Sequence, residues 1–153
     1  MLKPFVRFLV ATPPFIAQVA QQPSVRVPLA IGLGAIAGAL SRFYLNLWIG
    51  RVLGITFPYG TFLINLSGCL AMGFFFTTVT ERIFPISPDV QLLVAVGFLG
   101  SYTTFSTYSL DTVNLARGEQ FFKAALYWIA SSLGGLLCLY LGIWLAQFGR
   151  FHK

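Results

Sequence analysis

Charged residues are scarce in this chain of 153 residues, where Asp, Glu, Lys and Arg together make up 9%. Soluble domains carry about 25% charged residues, because polar side chains must cover the surface that faces water. Hydrophobic residues make up 57% of this chain, and its mean hydropathy is +0.80. The composition excludes an ordinary water-soluble domain and predicts an integral membrane protein.

Residues that carry catalysis or bind metals are also few. The single histidine, His152, is next to the last residue. Cys69 and Cys138 lie in apolar runs without neighbouring ligands, so we expect small core residues rather than a disulfide or a metal pair. No cluster of His, Cys and carboxylates could form a catalytic site, and we therefore do not expect an enzyme.

No carboxylate lies in the middle of an apolar run. The four acidic residues fall in loops or near the ends of runs, at Glu81, Asp89, Asp111 and Glu119. Proton-coupled transporters and cation pumps usually place such a group inside the membrane. This distribution argues against a coupled transporter.

The net charge of +6 is better explained by lipid headgroups than by nucleic acid, because the basic residues lie mostly at segment ends. With both termini on one side, that side holds Lys3, Arg7, Arg26, Arg82, Arg150 and Lys153, and the other holds Arg51, Arg117 and Lys123. The bias favours cytoplasmic termini only weakly. A chain with so weak a bias could insert in both orientations.

Prolines divide the chain into four long apolar runs. Each is long enough to cross a bilayer as a helix: about Pro28 to Leu53, Gly60 to Val79, Pro88 to Leu115, and Glu119 to Phe148. We predict an all-α integral membrane fold with a four-helix domain at residues 26–149. Residues 1–25 are interpreted as a flexible or interfacial arm rather than a signal peptide, because Pro13 and Pro14 interrupt the apolar stretch and no A-x-A site follows. Residues 150–153 form a short tail.

Two pairs of small residues are spaced four apart, Gly34 with Gly38 and Ser131 with Gly135. Such pairs let helices approach closely in lipid. They could pack helices within one chain or between two copies.

The stretch GFLGSYTTFSTYSLD, Gly97 to Asp111, fills the third run with glycine, hydroxyl and β-branched residues. These are poor helix formers, so we expect the third helix to break or unwind there. Non-helical backbone at membrane depth is tolerated only where it is buried in protein or lines a wet cavity, and its carbonyls can bind a cation.

Several polar or aromatic residues in the runs are candidates for a path through the membrane. Arg42 in the first run indicates either an anion or a side chain that snorkels to the surface. Asn65 could bond another helix or donate to a passing ion. Tyr127 and Ser131 share one helix face, and the rings of Phe105 and Tyr108 could present their positive edges to an anion.

The stretch GFLGSYTTFSTYS resembles the signature around TTFSTF in the Fluc/CrcB fluoride channels, and GTFLINLSGCLAMG is similar to the second-helix motif of that family, GTLxVNxxGxFxxG. The resemblance implies a passive, fluoride-selective channel in the cell inner membrane that exports cytoplasmic fluoride. It also implies a dual-topology, antiparallel homodimer with two pores and a structural sodium ion at the dimer interface. By the motif, the implied pore residues are Asn65, Thr104, Phe105, Ser106, Tyr108, Tyr127 and Ser131, with Arg42 at the vestibule and the carbonyls of Gly100 and Thr103 at the sodium site.

The chain departs from that pattern at two positions. Tyr108 replaces the second Phe and adds a hydroxyl, while Gly135 stands where a further hydroxyl is common, which Ser132 or water could replace. Two other functions remain possible. A small four-helix multidrug transporter would need a Glu in its first helix, which is absent here, and a structural membrane subunit would not explain so many donors around one segment.

Overall fold

Four long apolar helical segments make up the part of the chain described by a computed structural model, which covers Val19 and residues 21–148. They are α1 (Pro23–Leu53), α2 (Tyr59–Thr80), a composite third segment and α6 (Phe121–Phe148). The third consists of α3 (Pro88–Gln91), the π-helix π1 (Leu92–Leu99), α4 (Gly100–Tyr102) and α5 (Phe105–Arg117). The prediction of an all-α protein with four helices of membrane-spanning length is confirmed.

The first helix begins at Pro23, upstream of the predicted start at Pro28. Proline is tolerated in a first turn, and Pro28 inside the helix removes one hydrogen bond. An ion pair of 2.9 Å between Arg26 and Asp89 joins this extra turn to α3. The predicted N-terminal arm at 1–25 lies largely outside the described residues, as does the tail at 150–153.

Glycines bring α1 directly against π1. A Cβ added to Gly34 would collide with the backbone of Leu93 and Phe98, and one added to Gly38 would collide with the Phe98 carbonyl. In a π-helix, hydrogen bonds run from residue i to i+5, so residues five apart lie on one side. Leu93 and Phe98 therefore both face α1, and the small-residue pair packs helices within the chain.

A second glycine contact joins α2 to α6. A Cβ on Gly73 would meet the Leu139 carbonyl, and a Cβ on Gly142 would meet the Leu70 carbonyl. Farther along the same contact, Gly135 lies beside the Cys69 thiol. Both cysteines are free thiols of intermediate burial.

Candidate functional site

The backbone leaves the helical conformation at Thr103 and Thr104, between α4 and α5. Thr103 has φ −83° and ψ 158°, and Thr104 has φ −151° and ψ 117°. Both are extended conformations, so peptide groups near this point lose their usual helical partners. Another part of the protein must supply those hydrogen bonds.

Asn65 of α2 supplies two of them. Its side-chain Nδ2 donates to the Thr104 carbonyl at 3.0 Å, and the Thr104 N–H donates to Asn65 Oδ1 at 2.8 Å. Because one contact needs an amide donor and the other an acceptor, the pair fixes the orientation of the side chain. Asn65 therefore holds the extended segment against α2. The second N–H of its amide takes no part in these two hydrogen bonds.

The Thr104 hydroxyl begins α5 as its N-terminal cap. Its Oγ1 accepts from the Thr107 N–H at 3.2 Å and lies 3.2 Å from Ser106 Oγ. It also donates to Thr107 Oγ1 at 3.0 Å. Three hydroxyls thus gather in the first turn of α5, with that of Ser106 exposed.

The two candidate rings have different surroundings. Phe105 is 79% exposed on the surface of the chain, whereas Tyr108 is 6% exposed. Their ring centroids are 5.6 Å apart at an interplanar angle of 50°. The aromatic pair therefore runs from the surface beside the extended segment into the helix bundle.

The Tyr108 hydroxyl is bonded to α6. It donates to the Trp128 carbonyl at 3.0 Å and lies 3.2 Å from Ser132 Oγ. The sequence predicts that Ser132 could supply the hydroxyl that Gly135 lacks. In the structure, its Oγ lies beside Tyr108 and donates to the Trp128 carbonyl at 2.9 Å.

Tyr127 and Ser131 of α6 both place oxygen atoms in the interior. Tyr127 is fully buried and belongs to a core cluster with Tyr108, Leu115 and Ala124. Within the described part of the chain, Ser131 Oγ has no hydrogen-bond partner, and the Tyr127 hydroxyl lies near the Thr61 and Asp111 side chains without a hydrogen bond of good geometry. Burying an unpaired polar group costs about 1–3 kcal/mol, so both atoms are suited to bind a ligand or water.

Arg42 is half-buried in α1 and lines a cavity of about 220 Å³. Thr104 and Thr107 line the same cavity from α5, together with Thr61 of α2. Arg42 and Thr104 are remote in sequence, but both line this cavity, together with Asn46.

The structure adds Asp111 to the residues found by sequence reasoning. Its Oδ2 is buried without a hydrogen bond of good geometry among residues 21–148, although its carboxylate lies near the Tyr127 hydroxyl. Asp111 also lines a cavity of about 580 Å³ with Thr61, Thr107 and Asn114. The signal in the sequence is the spacing of Thr107 and Asp111, which puts both on one face of α5. From the sequence, Asp111 is expected only near the end of the third run.

Comparisons with known proteins agree with the sequence resemblance. Residues 29–143 match the family model described as CrcB-like protein, Camphor Resistance (CrcB). The chain is 55% identical over 127 residues, 83% of its length, to a protein named fluoride-specific ion channel FluC from Trichormus variabilis, of which the match covers 93%.

Two further relatives have the same name. One from a Synechococcus species is 56% identical over 128 residues, which cover 84% of this chain and 98% of the relative. One from a Synechocystis species is 48% identical over 124 residues, which cover 81% of this chain and 95% of the relative. On the extent of the family match and these identities, the chain belongs to the CrcB family.

Proposed function

We propose that this protein is a fluoride-selective ion channel and that its activity is passive conduction rather than catalysis. The relatives covered almost end to end by the match are named fluoride-specific ion channels. The structural observation that carries the proposal is the extended Thr103–Thr104 segment, which Asn65 holds through two hydrogen bonds. This arrangement gathers neutral donors inside a span that otherwise suits lipid.

The third span is a broken transmembrane helix, and its break forms part of the pore. Fluoride is strongly hydrated, so a pore must replace its water with donors. Asn65 and Ser106 offer amide and hydroxyl donors, and the rings of Phe105 and Tyr108 offer positive edges. Thr104, whose hydroxyl proton goes to Thr107, holds this first turn of α5 in place beside the path. None of these groups carries a fixed charge, which lets the ion leave as well as enter.

The inner part of the path runs along α6. Tyr127 and Ser131 lie on one face of that helix, and their oxygens are buried without a hydrogen bond of good geometry among the described residues. We assign them to a polar track that continues from the two rings. Arg42, in the cavity with Thr104, attracts the anion at the vestibule.

A second, antiparallel copy of the chain completes the pore, and two copies enclose two pores. Phe105, Ser106 and Gly100 are all exposed on the surface of the single chain. They flank the extended backbone at Thr103 and Thr104. Irregular backbone does not face lipid in membrane proteins, so another protein surface would cover this region. A homodimer with dual topology does this and agrees with the weak asymmetry of the basic residues.

Dual topology has a direct test. In a background with Cys69→Ala and Cys138→Ala, a Ser87→Cys variant places one thiol in an exposed loop. An impermeant maleimide should label about half of these thiols in sealed vesicles, since the chain inserts both ways. Labelling of nearly all or nearly none of them would contradict dual topology.

The carbonyls of Gly100 and Thr103 fit a structural sodium ion at the dimer interface. In a continuous helix the Gly100 carbonyl would accept from the Thr104 N–H, but that N–H donates to Asn65. Carbonyl oxygens are hard ligands of the kind that such cations prefer. When bound, the ion would neutralise these dipoles, and replacing sodium with a large organic cation should weaken the dimer.

The membrane potential supplies the driving force for export across the cell inner membrane. A negative interior drives an anion outward with about 2.3 kcal/mol per 100 mV. An open pore therefore lowers cytoplasmic fluoride without a coupled proton or nucleotide.

The function is tested by reconstitution into liposomes loaded with potassium fluoride. After valinomycin provides a potassium shunt, a fluoride electrode should record rapid efflux, while liposomes loaded with chloride should retain it. Protein-free liposomes are the control. Absence of fluoride efflux, or equal efflux of chloride, would refute the proposal.

A further inference from the structure

The two rings of the proposed pore are held in different ways. Phe105 is exposed and has no polar group on its ring, whereas the ring of Tyr108 is tied at its far end to α6. Its centroid also lies 5.4 Å from that of Tyr127, at an interplanar angle of 52°. Tyr108 is thus supported both by its hydroxyl and by ring packing.

The Tyr108 hydroxyl proton is directed to α6. A phenol has a single proton to donate, and the two neighbours of this oxygen are the Trp128 carbonyl and Ser132 Oγ. Ser132 itself donates to the same carbonyl. In either donor arrangement of the Tyr108–Ser132 contact, the phenolic proton goes to α6 and is not directed to the side where Phe105 lies.

We propose that the Tyr108 hydroxyl is a positioning group that sharpens the selectivity of the pore for fluoride over larger anions. This inference rests on the proposed function. The tether to Trp128 and Ser132 holds the Tyr108 ring against displacement and keeps it tilted 50° to Phe105. Chloride is larger than fluoride and must separate the rings further, so a tether that resists separation penalises chloride more.

The test compares fluoride and chloride flux in liposomes, with a radioactive chloride tracer to resolve slow leakage. Tyr108→Phe keeps the ring and removes the tether, and it should lower the ratio of fluoride to chloride flux about fivefold, the effect of one typical hydrogen bond. Tyr44→Phe is the matched control, because Tyr44 is 65% exposed in α1 and its ring contacts Phe43. Its ratio should equal that of the unmodified chain.

A second variant separates the tether from a general packing role. Ser132→Ala removes one partner of the phenol and leaves the Trp128 carbonyl, so the ratio should fall by less than in Tyr108→Phe. When added to Tyr108→Phe, Ser132→Ala should cause no further fall, since it acts through the hydroxyl. Ser132→Ala also tests the tether if Tyr108→Phe fails to fold.

Each outcome bears on a distinct claim. If the unmodified chain conducts fluoride and Tyr108→Phe has the same flux ratio, the positioning role is wrong and the proposed channel function stands. A further fall from Ser132→Ala in the Tyr108→Phe background would also overturn it, since Ser132 would then act independently. If the unmodified chain conducts no fluoride, both proposals fail.

Discussion

The third span has two halves that differ in how their backbone is supported. The first half, Pro88 to Tyr102, packs its π-helical turns against Gly34 and Gly38 of α1. The second half, α5, begins after two extended residues and is held at its start by the Asn65 side chain. Close helix packing thus secures one half, and a polar side chain secures the other.

Two hydroxyl side chains of α5 are satisfied by the backbone of the same helix. In α5, Ser109 donates to the Phe105 carbonyl at 2.9 Å and Thr112 to the Tyr108 carbonyl at 2.8 Å. These local bonds satisfy hydroxyls that would otherwise be costly in lipid. In α6, by contrast, the Tyr127 and Ser131 oxygens are buried without such a local bond. These two α6 oxygens are therefore available to a passing ion or to water.

Removing the Asn65 amide that holds the start of α5 should lower fluoride efflux more than the three changes described next. Asn65→Leu leaves the Thr104 N–H and carbonyl without their side-chain partner, at about 1–3 kcal/mol for each unsatisfied group. We expect fluoride efflux to fall on the order of a hundredfold or more. Ser67→Ala, two residues later in α2, keeps the pair with Thr104 and should have a much smaller effect. Equal effects of the two variants would contradict the special role of Asn65.

Disturbing the glycine contact should reduce stability. Gly38→Val puts a branched side chain against the Phe98 carbonyl, and overpacking of this kind costs about 1–3 kcal/mol. Thermal unfolding in detergent should show the loss. Gly32→Ala is the control in the same helix, because a Cβ there meets no atom within 4 Å. If Gly38→Val unfolds at the temperature of the unmodified chain, the close packing of α1 on π1 is wrong.

A substitution in α2 can shift the extended Thr103–Thr104 segment, which separates the two halves of the third span. A Cβ added to Gly68 would collide with the Thr103 methyl group, so Gly68→Ala should shift the extended segment and lower fluoride efflux about tenfold, the effect of roughly 1.4 kcal/mol. Thr103→Ser removes that methyl and should restore much of the flux in the double variant. Failure of this rescue would show that Gly68 acts through another contact.

The smallest expected effect is the loss of stability when the N-terminal cap of α5 is removed. Thr104→Val removes the hydroxyl that accepts from Thr107, and loss of such a cap costs about 1 kcal/mol. Thermal unfolding should show this modest loss, while Thr104→Ser retains the hydroxyl and should stay close to the unmodified protein. A stability of Thr104→Val equal to that of Thr104→Ser would argue against the cap.

Hydropathy and proline positions predicted the four spanning-length helices, because each run must satisfy its own backbone in lipid. Local spacing also predicted which residues share a face, such as Tyr127 and Ser131. The partner of Asn65 could not be predicted, because its pairing with Thr104 depends on how α2 and the third span are positioned relative to each other. For the same reason the sequence did not reveal the Tyr108 contact with Trp128, the buried Asp111 oxygen or the π-helical turns.

The most direct test of the central claim, that fluoride passes the rings beside the Thr103–Thr104 segment, is fluoride efflux from liposomes containing Phe105→Ile. Because Phe105 is 79% exposed on the single chain, the substitution should leave the fold of the chain intact. Size-exclusion chromatography checks that the proposed dimer, whose second copy would cover Phe105, still assembles. The account predicts efflux reduced to that of protein-free liposomes. Efflux at the rate of the unmodified channel, from an intact dimer, would contradict it.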